Sequence, residues 1–205
     1  MMKNMTLVDF AAKVASDSPV PGGGSMAAVC GALSAALAEM VANLTIGKKK
    51  YIEVETEMKD ITLKAVSLRE KLLDDIQRDS DSYDKVMASY KMPKETEEEK
   101  NARQNAIQES LKLAASVPLD IAETSFEILP LTNSVVSKGN ANAVTDGLVA
   151  CMMARTAVLS ALFNVKINLD SINDEEYVNM MRTKVNELEL KTLEYEKKVL
   201  DKSPF

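Results

Sequence analysis

Histidine does not occur anywhere in the 205 residues. Its absence removes the side chain whose ordinary pKa lies nearest neutrality. It also removes the commonest zinc ligand and every His-dependent catalytic triad. Any proton transfer must then use Asp, Glu, Lys, Tyr, Cys or a group on the substrate. Tryptophan is absent too and aromatics make up 4%, so the apolar weight falls on Ala, Leu, Val, Ile and 12 Met, a composition suited to helix packing. The 2 cysteines, Cys30 and Cys151, sit in apolar runs without metal-ligand spacing, and a reduced cytoplasmic setting is the simpler expectation. Positive charge is not in excess. A net charge of -6 argues against nucleic acid as the main partner, because phosphate binding needs a basic face. The opening MMKNMTLVDF holds no apolar stretch of secretion-signal length. Glycine is scarce at 7 residues, yet three of them are consecutive.

The periodicity that is present predicts an all-α protein, a single domain over residues 1–205 with about seven helices in a multi-helix bundle. Thr6, with Asp9 three positions on, caps a first helix. Ser25 is expected to cap a second, ending at Gly47. A long charged helix follows from about Glu53 to Lys91, with Ile61, Ala65, Leu68, Leu72, Ile76, Tyr83, Val86 and Tyr90 at helical spacing. Thr96 and Glu99 form a capping box for the fourth. Pro118 should kink or restart the chain, with a fifth helix over Leu119 to about Val136. A sixth runs from about Thr145 to about Asn164, NVKINLDSIND is a connector, and Asn173 with Glu176 caps the last. The second and sixth helices are apolar nearly all round and should be buried on every side. The run from Met26 to Ile46 is mostly Ala and carries Glu39 and Asn43, so it reads as a core helix and not as a membrane span. One chain has little material to wrap two such helices, which points to a homodimer.

Four segments could carry chemistry. PVPGGGSMAA is either a tight loop before a helix or a place where a ligand approaches bare backbone at a helix amino end. It is neither a P-loop nor a dinucleotide fingerprint. Lys48, Lys49, Lys50 and Tyr51 either complement a helix dipole or clamp carboxylates. Asp74, Asp75, Asp79, Asp81 and Asp84 read first as a solvated helix face, but Asp79 shares a stripe with Ile76, Tyr83 and Val86 and should point partly inward. A partly desolvated carboxyl there could act as acid or base near neutrality. SKGNANAVTDGL is a polar turn in which Asn140 and Asp146 either form the turn or read a polar ligand edge.

In order, PVPGGGSMAA, VANLTIGKKKY, RDSDSYDKVMASYKMPKETEEEK, AIQESLKLAASVPLDIAE, KGNANAVTDG and NVKINL resemble the cyclodeaminase domain of formiminotransferase-cyclodeaminase. Free-standing bacterial members of that family include methenyltetrahydrofolate cyclohydrolases. The resemblance runs from about residue 5 to residue 200. It implies an all-helical dimer that binds folate, polyglutamylated or not, without metal or redox cofactor. It implies Asp79, and not Asp81 or Asp84, as the catalytic residue, with Gly22, Gly23, Gly24, Ser25, Lys48, Arg103, Asn140 and Asp146 lining the pocket. The formiminotransferase portion has no counterpart in these 205 residues. The expected activity is closure of 5-formiminotetrahydrofolate to 5,10-methenyltetrahydrofolate with loss of ammonia. The alternatives are hydrolysis of the methenyl compound to 10-formyltetrahydrofolate, and a helical dimer that binds folate without turnover.

Overall fold

Apolar stripes at helical spacing organise the whole chain. A computed structural model describes residues 1–205. It contains α1 (Leu7–Val14), α2 (Gly23–Asn43), α3 (Glu55–Tyr90), α4 (Glu97–Phe126), α5 (Ile128–Lys138), α6 (Val144–Leu169) and α7 (Glu175–Leu200), with three short 3-10 turns and no strand. The bundle proper has six members, not the seven expected, because α1 has 8 residues and buries only Phe10. Thr6 caps α1 by accepting from the Asp9 amide, and the Thr96–Glu99 capping box opens α4.

α2 lies at the centre, antiparallel to both α3 and α6. Opposite α3, Ser25 meets Asp79 at one end and Asn43 meets Thr62 at the other. Opposite α6, Ser34 Oγ donates to the Ala150 carbonyl at 2.7 Å. Ala27, Ala28, Ala32, Ala35 and Ala38 are buried along this helix and keep it thin. At Gly31 a Cβ would stand 2.6 Å from Ser125 Oγ, so the absent side chain admits α4.

Several expectations are corrected. α2 begins at Gly23 with Gly22 as N-cap, so Ser25 lies inside the helix and does not cap it. The segment NVKINL forms the last turns of α6 and not a connector, and Asp174 replaces Asn173 as the cap of α7. α2 and α6 are not buried on every side. About half of each apolar window is buried, 56% and 50%, while Met26, Leu33 and Met40 on α2, Leu44 at its carboxyl end, and Val149, Met152, Phe163 and Ile167 on α6 stay exposed.

Pro118 neither kinks nor restarts the chain, since α4 runs through it from Glu97 to Phe126. A proline lacks the N–H that would bond the carbonyl four residues earlier. That carbonyl belongs to Ala114, and Asn168 Nδ2 of α6 donates to it at 2.8 Å. The proline therefore frees an acceptor, and a side chain from the neighbouring helix takes it. Asn168→Ala should cost about 1–3 kcal/mol in urea unfolding, the penalty of a part-buried carbonyl left unpaired. Pro118→Ala restores an N–H at this turn, so the double variant should lose less than the sum of the two single changes.

Candidate active site

The amino end of α2 has no side-chain cap of its own. Its unsatisfied N–H groups and its dipole favour a negative group nearby. α3 supplies one in Asp79. The three glycines are explained by what a side chain would meet. At Gly22 a Cβ would stand 3.1 Å from the Pro19 carbonyl, at Gly23 3.2 Å from Asn164 Nδ2, and at Gly24 2.1 Å from Asp79 Oδ1. Gly24 thus gives its side-chain space to the Asp79 carboxylate, and Gly23 gives its own to Asn164.

Ser25 Oγ lies 2.9 Å from Asp79 Oδ2, 3.0 Å from the Ile76 carbonyl and 3.2 Å from Ser80 Oγ. Burial pushes the Asp79 carboxyl above the ordinary aspartate range. The Ser25 hydroxyl and amide pull it back in part, and the Asp75 charge adds to the rise. Asp75, one turn earlier, is buried and bonded by Lys71 Nζ at 3.2 Å and Arg78 Nη1 at 3.0 Å, and both cations also reach Asp120 of α4. Asp81 and Asp84 are exposed. The thiols offer no competing group, since burial raises both Cys30 and Cys151, the latter to about 11.

Asp79 faces a cleft of about 320 Å³. Its walls are the glycine turn, the Tyr83 face of α3 and the last turns of α6, with Asn164 and Asn168. Both asparagine amides are held by backbone. Asn164 Nδ2 donates to the Ser160 carbonyl, and Asn168 Nδ2 donates to those of Ala114 and Asn164. Neither Oδ1 takes a hydrogen bond within the protein, and both residues line the cleft. The pocket thus combines one ionisable carboxyl, two fixed amide acceptors, a phenol and bare glycine backbone. That set can read a planar, nitrogen-rich ring and move one proton beside it. Sequence reasoning missed Asn164 and Asn168. The signal was their i, i+4 spacing, which puts both on one face once α6 is known to continue past Asn164.

The family described as formiminotransferase-cyclodeaminase matches residues 6–187. The chain belongs to this family. Among its relatives, methenyltetrahydrofolate cyclohydrolase of Methylorubrum extorquens is 44% identical over 177 residues, 86% of this chain and 85% of that protein. Rat formimidoyltransferase-cyclodeaminase is 34% identical over 87% of this chain, which spans only 33% of the rat protein. The crystal structure of formiminotetrahydrofolate cyclodeaminase from Thermotoga maritima matches with a TM-score of 0.89 at 33% identity, over 98% of this chain and 97% of that one.

Within this family member the expected site residues divide into separate places. Gly22, Gly23, Gly24 and Asp79 line the cleft, with Ser25 buried behind Asp79. Lys48, Asn140 and Asp146 gather at the other end of α2, a helix of 21 residues and so roughly 30 Å away. There Lys48 is exposed and Asp146 lies in the first turn of α6. Asn140 is buried and structurally engaged. Its Nδ2 donates to the Leu44 carbonyl, its Oδ1 accepts from the Asn142 amide, and its own amide donates to Thr45 Oγ1. Arg103 donates to the Tyr90 carbonyl from both Nε and Nη2, which caps the end of α3 about 16 Å beyond Asp79.

The carboxylate and the glycine turn are interlocked. Gly24→Ala should therefore displace Asp79 and lower kcat roughly a hundredfold, the scale of a 1 Å misplacement of a reacting group. Gly47→Ala, at a positive-φ turn near the opposite end of α2, should leave kcat near its original value while lowering the melting temperature. Steady-state kinetics and thermal unfolding of the two variants check both outcomes.

Proposed function

We propose that this protein is an enzyme acting on the one-carbon unit between nitrogen-5 and nitrogen-10 of tetrahydrofolate, with Asp79 as its proton carrier. The observation that carries the reading is the desolvated Asp79 carboxyl, facing a cleft of about 320 Å³ in a chain without histidine. That volume suits the pterin end of a folate and leaves the benzoyl-glutamate tail to run outward. The free Oδ1 atoms of Asn164 and Asn168 suit the N–H edge of a pterin, and Tyr83 offers a ring face.

The relative at 44% identity favours hydrolysis of 5,10-methenyltetrahydrofolate to 10-formyltetrahydrofolate. Water adds to the methenyl carbon while ionised Asp79 takes one of its protons. The protonated carboxyl then returns that proton to nitrogen-5 as the bond from carbon to nitrogen-5 breaks, and the remaining hydroxyl proton is lost to solvent, leaving the formyl group on nitrogen-10. The Thermotoga maritima structure favours the second reading, cyclodeamination. There nitrogen-10 attacks the formimino carbon, and Asp79 carries the nitrogen-10 proton to the departing ammonia. Both routes pass through a tetrahedral carbon at one place. Ring closure is intramolecular, so positioning supplies much of the rate. Beside water in the hydrolysis, each route uses Asp79 as the one protein group that carries a proton.

We also propose a homodimer. The exposed stripes on α2 and α6 are large for a free surface, with Leu33 and Met152 each 51% exposed and Phe163 65%. A two-fold axis across α2 would set the Lys48 end of one copy beside the Gly22 end of the other. Lys48 could then meet the carboxylates of a folate tail leaving its partner's cleft.

Asp79→Asn should lower kcat by about 10²–10⁴-fold with little change in KM, because the amide fills the site but cannot take up and release a proton as a carboxyl does. Wild-type protein should lose activity as pH falls through the raised Asp79 pKa, and this acidic limb should vanish in the variant. Near-normal turnover by folded Asp79→Asn protein on both methenyl- and formimino-tetrahydrofolate would remove Asp79 from the mechanism. The same two substrates given to wild-type protein decide between the readings. For the assembly, sedimentation at micromolar concentration should give a dimer that Phe163→Glu weakens. A stable wild-type monomer with full turnover would overturn it.

A further inference from the structure

Ser25 is fully buried, so it cannot be the substrate contact expected of it. Its surroundings suggest another task. A serine hydroxyl has one proton to donate and two lone pairs to accept with. Around Ser25 Oγ stand two oxygens that never donate in the ionised site, Asp79 Oδ2 at 2.9 Å and the Ile76 carbonyl at 3.0 Å. The third neighbour, Ser80 Oγ at 3.2 Å, can donate to it. Ser80 is buried as well and also lies 3.5 Å from Met2 Sδ. With Ser80 donating to it, Ser25 has one proton and two acceptors within reach, both at good hydrogen-bond distance.

We infer that Ser25 is a positioning residue whose hydroxyl turns between Asp79 and the Ile76 carbonyl, keeping Asp79 hydrogen-bonded in both of its protonation states. With Asp79 ionised, Ser25 donates to Oδ2. When Asp79 takes a proton on Oδ2, that O–H donates to Ser25 Oγ, and the serine proton turns to the Ile76 carbonyl. The hydrogen bond between Asp79 and Ser25 is kept in both states, reversed in direction, and no heavy atom needs to move. A carboxyl that relays a proton must pass through both states in each cycle, and a fixed position avoids reorganisation at each change. Gly24 packs against the other carboxylate oxygen, and a hydroxyl rotation answers the change of protonation without displacing the carboxylate.

The charged surroundings of Asp79 are few. Asp75 of α3 is the nearest, held by Lys71 and Arg78, which also bind Asp120 of α4. Glu39, the only charge on α2, pairs with Arg69, and α6 turns Asn164 and Asn168 toward the cleft. Loss of the Ser25 hydroxyl therefore removes a donor to the ionised form with no cation placed to replace it, and Asp79 should hold its proton to higher pH.

The inference rests on Asp79 as the proton carrier, and its test separates the two. Ser25→Ala should lower kcat roughly ten- to a hundredfold, the range for a hydrogen bond to a charged group, with a smaller change in KM. Ser25→Cys, which keeps the volume but is a weak donor, should move in the same direction. In both, the acidic limb of the pH–rate profile and the carboxyl titration of Asp79, followed by carbon-13 NMR without substrate, should move to higher pH. Ser89→Ala removes another buried serine hydroxyl, one bonded to the Val86 carbonyl and Ser110, and should move neither. Folded Ser25→Ala and Ser25→Cys with unshifted titrations would overturn the inference. If the titration shifts in Ser25→Ala while Asp79→Asn still turns over, the hydroxyl assignment stands and the proton-carrier reading falls.

Discussion

The Asp79 carboxylate set against the amino end of α2 is the contact on which the site depends. Two effects oppose each other there. The helix end, with the Ser25 amide and hydroxyl, favours the charged form. Burial disfavours it and prevails, so the carboxyl sits above its ordinary range. A carboxyl pulled both ways can change protonation while staying in place. The same contact dictates the glycines, because any side chain at Gly24 would enter the space that the carboxylate fills. It also fixes how α2 and α3 register, since Ser25 meets Asp79 only when the two helices run antiparallel at this offset.

The opposite wall of the cleft is held by a second device of the same economy. Pro118 leaves a helix carbonyl without its usual partner, and Asn168 satisfies it from α6. The asparagine is locked by a need of the backbone, not by a partner of its own kind. Its Oδ1 takes no hydrogen bond within the protein, and Asn164, one turn away, lines the same cleft. Rigid helices thus present both walls, and placement of this kind is more exact than loops provide.

The residues at the far end of α2 belong to a different part of the molecule. Asn140 ties α2 to the start of α6, and Lys48 stands free in solvent beside it. Their distance from Asp79, roughly 30 Å along the helix, means that one copy does not unite them in one pocket. The proposed two-fold pairing is the economical way to reconcile this separation with the uncovered stripes on α2 and α6.

Much of this was legible in the sequence because it depends on local physics. Helical periodicity, the Thr6 and Thr96 caps and the absence of strands follow from neighbours a few residues apart. The inward stripe position of Asp79 follows from the 3.6-residue period alone, and the lack of histidine excluded whole classes of chemistry at once. What failed to show depends on partners distant in the chain. Ser25 looked like a cap because nothing local reveals that a carboxylate 54 residues later supplies that function. Pro118 looked like a break because the acceptor it frees is satisfied by Asn168, 54 residues beyond Ala114. The resemblance groups Asn140 and Lys48 with the glycine turn, and nothing in the sequence alone shows that within one copy a helix of 21 residues holds them apart. Residue types and periods determined which chemistry was available, and tertiary packing decided which groups meet, because hydrogen-bond partners and desolvation are set by neighbours in space.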